Sequence, residues 1–512
     1  MANGLARQVY IISDLHLGGV YADPASPNPE DRGFRICTQG EKVAEMVDAL
    51  AAKPAGETRI ELVINGDLVD FLAEREKDPP YWSPFTSMED AAVAKLEAIV
   101  ARDQALFDAL GRLLDKGHGL TILLGNHDLE LVFPKVRRRL EALLGILGRH
   151  DFRFIYDGEA YAVGDALIEH GNRYDSFNVV DHDALRRVRS LLSRNQKVPA
   201  EYAFEPPAGS RMVSTVINPI KEVYRFVDLL KPETGAVIPM LLALEPGYRN
   251  ILSRVAGLVL AASKHKLASA AMPSFGGDIH AVGSEEDYGM DMGGGASFGS
   301  DISSGGSPVA SDPLEKVLQE ALGESPRAFL AQLEPEPTAY AIAGIGDDIS
   351  TFSAIDNTLG LMQLLLAKRG NDITRRLPPL LKALRALQGD ESFDRAVETA
   401  PEYLNAAREL AKGGFKYVVF GHTHLAKRVD LGGGATYLNA GTWADLIKFP
   451  AEILSGSEAE ALEKVRELVE ELGAGRLKKW VRFKPTYVRL DLDGSDKVVE
   501  AELCDYTGPA GV

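Results

Sequence analysis

The amino-acid sequence predicts an α/β fold that is interrupted by a long, mostly helical insertion. Short apolar segments alternate with amphipathic helical segments over residues 1–174, and the same alternation returns over residues 394–512. Residues 175–393 carry helical spacing without the alternation that is typical of strands. The predicted organisation is therefore one α/β core in two parts, 1–174 and 394–512, with a helical cap inserted at 175–393.

The first part of the core contains short segments of branched apolar residues, which predict buried strands, and longer segments with helical spacing. The longest helical segment begins with acidic residues and ends at Lys-Gly, as helices tend to do. The predicted elements are, in order, strand 9–13 (VYIIS), helix 41–52, strand 60–66 (IELVING), helix 88–117, strand 120–125 (LTILLG), helix 134–145 and strand 166–171 (ALIEHG).

The insertion and the second part of the core differ in composition. Within the insertion, apolar segments at 216–230 and 358–370 have helical spacing, and residues 283–307 are rich in Gly, Ser and Asp. Such a composition buries too little apolar surface to order itself, so 283–307 is predicted to be a flexible loop. The second part of the core predicts, in order, a helix and a strand within 402–424, a strand at 435–443, a helix near 456–473 and strands within 478–506.

The composition restricts the class of protein. The 512 residues are 45% hydrophobic and 25% charged, with a formal net charge of −18. So acidic a chain argues against broad nucleic-acid binding, and two distant cysteines exclude a disulfide framework or a cysteine-rich zinc site. The N-terminus leaves no room for a cleavable signal peptide, and no segment reaches the roughly 18 to 20 apolar residues that span a bilayer. We therefore expect a cytoplasmic protein.

Polar residues with metal-binding side chains follow five of the predicted strands. The clearest case is the segment VFGHTHLAKR, where His422 and His424 follow the apolar run YVVF. In an extended chain, residues two apart point to the same side, so the pair suggests one metal site. The candidate ligands are Asp14, His16, Asp67, Asn126, His170, His422 and His424.

These seven candidates exceed the needs of one ion. They are imidazole, carboxylate and amide groups without a thiolate, which suits manganese, iron, zinc or cobalt rather than a structural zinc cluster. Two ions that share a bridging carboxylate would use all seven and lie about 3.5 to 4 Å apart. Any single block could instead be a helix cap or a turn. Five blocks in order, each after a strand, favour the metal centre.

The five blocks D-x-H, G-D-x-x-D, G-N-H-D, H-G and G-H-T-H resemble those of the calcineurin-like metallophosphoesterases. The resemblance covers about 1–175 and 400–450. It implies a four-layer α/β/β/α sandwich with two mixed sheets. It also implies two divalent ions, with manganese expected first and iron, zinc or cobalt as alternatives. The activity it implies is hydrolysis of a phosphoester by attack of a metal-bound hydroxide.

The resemblance also assigns a role to each matching residue. Asp14, His16 and His424 would hold one ion, Asn126, His170 and His422 the other, and Asp67 would bridge them. His127 would face the phosphoryl group and either stabilise the transition state or protonate the leaving oxygen, while Asp128 would orient His127. Asn172 and Arg173 are expected to contact substrate, and Asp70 and Asn439 to support the ligands.

The substrate stays open at this stage. The chain is distantly similar to bacterial UDP-2,3-diacylglucosamine pyrophosphatases, which carry a helical lid in the same interval. It departs from their pattern at His127 and Asn172, so a phosphodiester, a phosphomonoester and a pyrophosphate all remain candidates. A small-molecule or lipid-linked substrate is expected, and the cap could form an apolar groove that makes peripheral membrane contact. A protein phosphatase and a nuclease are less favoured. The alternative to an enzyme is a catalytically silent scaffold that binds a protein partner through its cap.

Overall fold

The computed structural model describes most of the α/β core and the beginning of the predicted insertion. The described residues are 7–20, 34–54, 58–77, 80–146, 151–175, 177–221, 227, 229–230, 240, 243, 373–387, 393–473, 476 and 479–512. They belong to one compact unit that comprises Met1–Leu252 and Gly346–Val512. The flexible loop predicted at 283–307 and the helical segment predicted at 358–370 lie outside the described residues.

The described strands form two mixed sheets and two short ribbons. The strands are β1 (Arg7–Ile12), β2 (Arg59–Asn65), β3 (Arg75–Lys77), β4 (Pro80–Trp82), β5 (Gly119–Leu123), β6 (Phe152–Ile155), β7 (Tyr161–Val163), β8 (Ala166–Ile168), β9 (Tyr417–Phe420), β10 (Lys427–Gly432), β11 (Ala435–Asn439), β12 (Leu446–Ile447), β13 (Val481–Arg482), β14 (Thr486–Leu492) and β15 (Val498–Asp505). The larger sheet has the order β15-β14-β1-β2-β5-β6, and the smaller one β10-β11-β9-β8-β7. The ribbons pair β3 with β4 and β12 with β13.

Strand direction determines where the polar blocks lie. In the larger sheet β1, β2, β5 and β6 run parallel, while β14 and β15 complete it in antiparallel pairing. In the smaller sheet β8, β9 and β11 run parallel, flanked by antiparallel β7 and β10. The carboxyl ends of parallel strands meet at one edge of a sheet, so the loops that follow them gather there.

Alternating side chains of β1 enter two different apolar clusters. Val9 and Ile11 pack with Val63 of β2 and with Ile168 and Val419 of the smaller sheet. Neighbouring side chains along a strand point to opposite faces, so the intervening residues of β1 pack against the helices instead. Both faces of the parallel strands are therefore buried, which explains their nearly continuous apolar sequences.

The helices predicted in the core lie close to their predicted positions, with one exception. The helices of the described residues are α1 (Gly40–Ala51), α2 (Glu89–Arg102), α3 (Gln104–Asp115), α4 (Pro134–Leu143), α5 (His182–Leu192), α6 (Ala208–Met212), α7 (Asn218–Lys221), α8 (Leu377–Leu387), α9 (Pro401–Lys412), α10 (Ala451–Leu454) and α11 (Glu458–Gly473). The prediction of one helix over 88–117 is wrong, because the chain breaks at Asp103 into α2 and α3. Asp103 has a non-helical backbone and its carboxylate pairs with Arg35, while α2 packs on α4 and α3 on α1.

The described residues of the predicted insertion are helical or irregular. They include α5, α6 and α7, a π-helical turn at Val213–Ile217 between the last two, and α8 near the far end. None of the helices in the described part of the chain is both long and apolar enough to cross a membrane.

Candidate metal centre

The structure brings six of the seven predicted ligands into two clusters at the strand ends. One cluster comprises Asp14, His16 and His424, which follow β1 and β9. The other comprises Asp67, His170 and His422, which follow β2, β8 and β9. Within each cluster the candidate ligand atoms lie within 4.8 Å of one another.

Three side chains of the first cluster converge on one point. The Nε2 atoms of His16 and His424 are 3.1 Å apart. Asp14 Oδ1 lies 3.3 Å from His424 Nε2 and 3.8 Å from His16 Nε2. Ligands at about 2.1 Å from one ion lie about 3.0 Å apart when adjacent and about 4.2 Å apart when opposite in an octahedron. The three separations fall within this range, so the residues fit a transition-metal ion.

Asp67 lies between the two clusters. Its Oδ2 atom is 3.1 Å from His170 Nε2 and 3.6 Å from His16 Nε2. Its Oδ1 atom accepts a hydrogen bond of 2.8 Å from the His127 backbone N–H, which fixes the carboxylate. One carboxylate thus faces a histidine from each cluster, as a bridging ligand does.

The seventh predicted ligand, Asn126, also presents a suitable atom. Its Oδ1 atom is buried and accepts no hydrogen bond from the described residues. Its Nδ2 atom lies 3.4 Å from Asn178 Oδ1 and is oriented to donate to it. An uncompensated buried acceptor costs about 1–3 kcal/mol, so a bound cation would relieve a real penalty here.

The backbone is left-handed rather than extended at most of the predicted ligands. Seven non-glycine residues in the described part of the chain have φ between 45° and 66°, and five of them are predicted ligands. The five are Asp14, His16, Asp67, His422 and His424. The expectation that the two histidines of GHTH point to one spot from an extended chain is therefore wrong. Each lies in a turn after β9, and they enter different clusters.

Glycines before three ligands allow this close packing. A Cβ atom at Gly66 would lie 2.3 Å from His170 Nδ1, and one at Gly421 would lie 1.9 Å from Ser13 Oγ. A Cβ atom at Gly125 would lie 2.1 Å from Asp67 Oδ1. Real Cβ contacts are essentially never shorter than 3.0 Å, so any side chain at these positions would displace a ligand or its neighbour.

Hydrogen bonds behind the ligands orient their rings. His170 Nδ1 lies 2.8 Å from the carbonyl oxygen of Asn65, so it carries the proton and Nε2 is left as the ligand atom. Asp14 Oδ2 accepts hydrogen bonds from the Ser13 hydroxyl and, at 2.9 Å, from the His422 backbone N–H, so Oδ1 faces the cluster. Asn439 Nδ2 donates to the Gly421 carbonyl at 2.7 Å, which holds the turn that carries the two histidines.

The partner of His127 differs from the prediction. Asp128 was expected to orient this ring, but its two oxygens accept backbone N–H groups of Gly125 and Leu68, at 2.7 and 3.0 Å. Asp128 thereby ties the loop after β5 to the loop after β2. The carboxylate beside His127 is instead Asp70, whose Oδ1 atom lies 3.2 Å from His127 Nδ1.

Asp70 also contacts a ligand of the first cluster. Its Oδ2 atom lies 3.6 Å from His16 Nδ1, and its Oδ1 atom accepts N–H groups of Leu72 and Ala73 in the short 3-10 helix Phe71–Ala73. The carboxylate is only 2% exposed. One buried, fixed carboxylate therefore faces Nδ1 of both His16 and His127.

The buried charges make the site strongly attractive to cations. Burial alone would lower the pKa of His16, but the nearby carboxylates of Asp14, Asp70 and Asp67 raise it to about 10. Burial likewise opposes protonation of His170, yet the charges of Asp67 and Asp14 raise its pKa to about 9. Burial tends to raise the pKa of Asp67, and the nearby His170 lowers it well below its usual value. Metal binding requires neutral imidazoles, so a bound ion would displace protons from these two rings.

The two residues predicted to contact substrate have protein partners. Asn172 is buried and donates from Nδ2 to the Asn178 carbonyl at 2.8 Å. Arg173 donates from Nη2 to the Gly158 carbonyl at 2.7 Å, and its Nε atom lies 3.4 Å from Glu169 Oε2. Their contact with substrate stays a prediction.

Sequence reasoning missed Asp175, whose Oδ2 atom lies 3.2 Å from His422 Nε2. It comes five residues after His170 and directly after the 3-10 helix Asn172–Tyr174. A carboxylate so soon after a ligand block was the available signal.

Comparison of the chain with protein-family models, curated proteins and solved structures gives no match. The function is therefore inferred from the geometry of the site.

Proposed function

We propose that this chain is a dinuclear metal-dependent phosphoesterase of the calcineurin-like type, which hydrolyses a phosphodiester, phosphomonoester or pyrophosphate bond. The observation that carries the proposal is the pair of Asp/His clusters that share Asp67 as a common neighbour. The proposal includes the four-layer α/β/β/α arrangement. Two mixed sheets with an apolar cluster drawn from both, and helices packed on each, support it.

The donor set suits manganese first, with iron, zinc or cobalt as alternatives. Asp14, His16 and His424 would hold one ion, and Asn126, His170 and His422 the other, with Asp67 between them. Two such ions, when bound, supply Lewis acidity to a phosphoryl group and lower the pKa of an attacking water.

His127 is the residue proposed to handle the leaving-group proton. Its side chain is 15% exposed, more than the buried ligands beside it, so a substrate can reach it. Asp70 Oδ1 lies 3.2 Å from Nδ1, which leaves Nε2 as the ring nitrogen that is available to a substrate. The His16 and His127 rings pack edge-on with their centroids 4.7 Å apart, which limits the rotation of His127. A fixed imidazole of this kind can donate a proton to the departing oxygen.

The cap proposed at 175–393 would determine which substrates reach the centre. If the cap has an apolar groove, it would admit a lipid-linked pyrophosphate. A cap without such a groove would admit small phosphoesters. The net charge of −18 disfavours a nucleic-acid substrate.

The test uses metal-stripped protein refilled with Mn²⁺ and a chromogenic phosphodiester beside its monoester. Asp67→Asn keeps the shape of the side chain and removes its charge, and we expect it to lose bound manganese and turnover together. Asp430→Asn is the matched control, because this exposed carboxylate accepts a hydrogen bond from the Gly432 backbone N–H and lies outside the candidate metal centre.

Turnover that depends on metal and is lost only in Asp67→Asn would support the phosphoesterase. Equal turnover in all three proteins would refute it. Two bound ions without turnover on either ester, or on a lipid-linked pyrophosphate, would favour the scaffold that binds a protein partner.

A further inference from the structure

The segment that follows the 3-10 helix Asn172–Tyr174, with Asp175 and Asn178, contacts two ligands of the same proposed ion. Asp175 Oδ2 lies 3.2 Å from His422 Nε2, and Asn178 Oδ1 lies 3.4 Å from Asn126 Nδ2. Neither contact involves the cluster of Asp14, His16 and His424. The segment therefore contacts proposed ligands of only one of the two ions.

Asp175 is held in the position from which it meets His422. Its Oδ1 atom accepts the Phe177 N–H at 3.0 Å, and its Oδ2 atom accepts from Asn178 Nδ2 at 2.8 Å. An imidazole whose Nε2–H donates to a fixed carboxylate keeps its lone pair on Nδ1. The His170 and His422 rings pack edge-on with their centroids 5.3 Å apart, which further restricts the rotation of His422. Asp175 thus selects Nδ1 of His422 as the metal-binding atom.

Asn178 fixes the amide of Asn126 in the same way. Because Nδ2 of Asn126 faces Asn178, the opposite atom, Oδ1, is left as the buried acceptor without a partner among the described residues. Asn178 itself is held from two sides. Its carbonyl oxygen accepts from Asn172 Nδ2 at 2.8 Å, and a Cβ atom at Gly209 would lie 2.2 Å from its Oδ1.

We propose that Asp175 and Asn178 are positioning residues for the second ion, which set the binding atoms of His422 and Asn126. This inference rests on the proposed dinuclear centre. It also gives the insertion a function within the site, because the Phe177 carbonyl accepts the Gly209 N–H of α6 at 2.7 Å. Helix α6 thereby holds the segment against the two ligands.

The experiment titrates Mn²⁺ into metal-stripped full-length protein and follows binding by calorimetry and electron paramagnetic resonance. The unmodified protein is expected to bind two ions and to show the exchange-coupled signal of neighbouring manganese ions. Loss of the carboxylate in Asp175→Ala, or of the amide in Asn178→Ala, should weaken one binding step about 10- to 100-fold and leave the other unchanged. The coupled signal should give way to that of isolated ions. Asp175→Asn, which keeps an acceptor without the charge, should lie between.

Asp181→Ala is the control, because its carboxylate caps α5 through the Ala184 N–H and is exposed. Two unchanged binding steps in Asp175→Ala and Asn178→Ala would overturn the inference, and so would equal weakening of both steps with a lower melting temperature. If the unmodified protein binds two coupled ions yet hydrolyses nothing, the proposed activity fails and the positioning role stands on the binding data. If it binds no pair of ions, the dinuclear centre and this inference both fall.

Discussion

Gly125→Ala provides a steric test of the position of Asp67. A Cβ atom there would lie 2.1 Å from Asp67 Oδ1 and 2.5 Å from the Asp67 backbone nitrogen. Ordinary contact begins at 3.4 Å, so the carboxylate oxygen must move by 3.4 − 2.1 = 1.3 Å and the backbone by 3.4 − 2.5 = 0.9 Å, unless Gly125 itself moves. Metal–ligand distances tolerate about 0.2 Å. The shift is several times larger than that tolerance.

The expected result is a folded protein with a damaged metal centre. Overpacking of this kind costs about 1–3 kcal/mol, which most domains survive. A misplacement of about 1 Å at a catalytic group lowers the rate about 100-fold. We therefore expect Gly125→Ala to retain less than two manganese ions per chain after gel filtration and to lose at least about 100-fold in kcat/KM. Urea denaturation measures the stability cost.

The control is Gly494→Ala. A Cβ atom there would have no heavy atom within 4 Å in the described part of the chain, and its φ lies outside the left-handed range. The free energy of unfolding of Gly494→Ala should be unchanged or rise by about 0.4–1 kcal/mol, because alanine reduces the conformational entropy of the unfolded chain. If Gly125→Ala binds two ions with unaltered affinity and activity, Asp67 does not need its observed position, and the bridging assignment is refuted.

Three further predictions follow from the same geometry. His127→Ala should lower kcat about 10²- to 10⁴-fold while both ions remain bound, and loss of an ion would make His127 a ligand instead. The raised pKa values of His16 and His170, about 10 and about 9, mean that their stabilisation is complete below the unfolded value near 6.5 and is lost as pH rises towards 9–10. In chelator, the free energy of unfolding should therefore fall between pH 7 and 10. The slope is about 1.4 kcal/mol per pH unit for each proton that the folded state holds and the unfolded state has released. Manganese should flatten this profile, and a flat profile in chelator would contradict the charge assignment. Asn439→Ala removes the donor to the Gly421 carbonyl and should cost about 1–3 kcal/mol in urea denaturation, whereas a cost near zero would show that the turn holds itself.

The strands and their polar ends were predictable because each carries its own local signal. Branched apolar runs of β1, β2, β5, β8 and β9 mark buried strands, and the blocks that follow them mark the site edge. Strands β6 and β7 were missed, since both are short edge strands of three or four residues; β6 pairs with β5, about 30 residues earlier, and β7 forms a tight hairpin with β8. The break at Asp103 was missed for a similar reason. Its cause is the pairing of Asp103 with Arg35, 68 residues earlier.

The contacts behind the ligands could not be read from the sequence. Asp128 is adjacent to His127 in sequence, and proximity along the chain suggested that they pair. His127 lies beside Asp70 instead, because the loops after β2 and β5 meet although they are about 60 residues apart in sequence. Backbone N–H groups there occupy both oxygens of Asp128. The backbone conformation at the ligands depends likewise on contacts between loops. Local pattern identifies the residues of such a site, and tertiary contacts decide which atoms face inwards.

The left-handed ligand residues show how the site is held together. A non-glycine residue in this conformation costs of order 1–3 kcal/mol, although Asp and His tolerate it better than branched residues do. The compensating bonds run between ligand loops and use protein atoms alone. The His422 N–H binds Asp14, the His127 N–H binds Asp67, and the His16 N–H binds the Asp67 carbonyl at 2.9 Å. These three bonds hold the backbones of the ligand loops against one another. What a metal pair would relieve is the crowding of buried charge and lone pairs, so its removal should be felt first as the pH dependence predicted above.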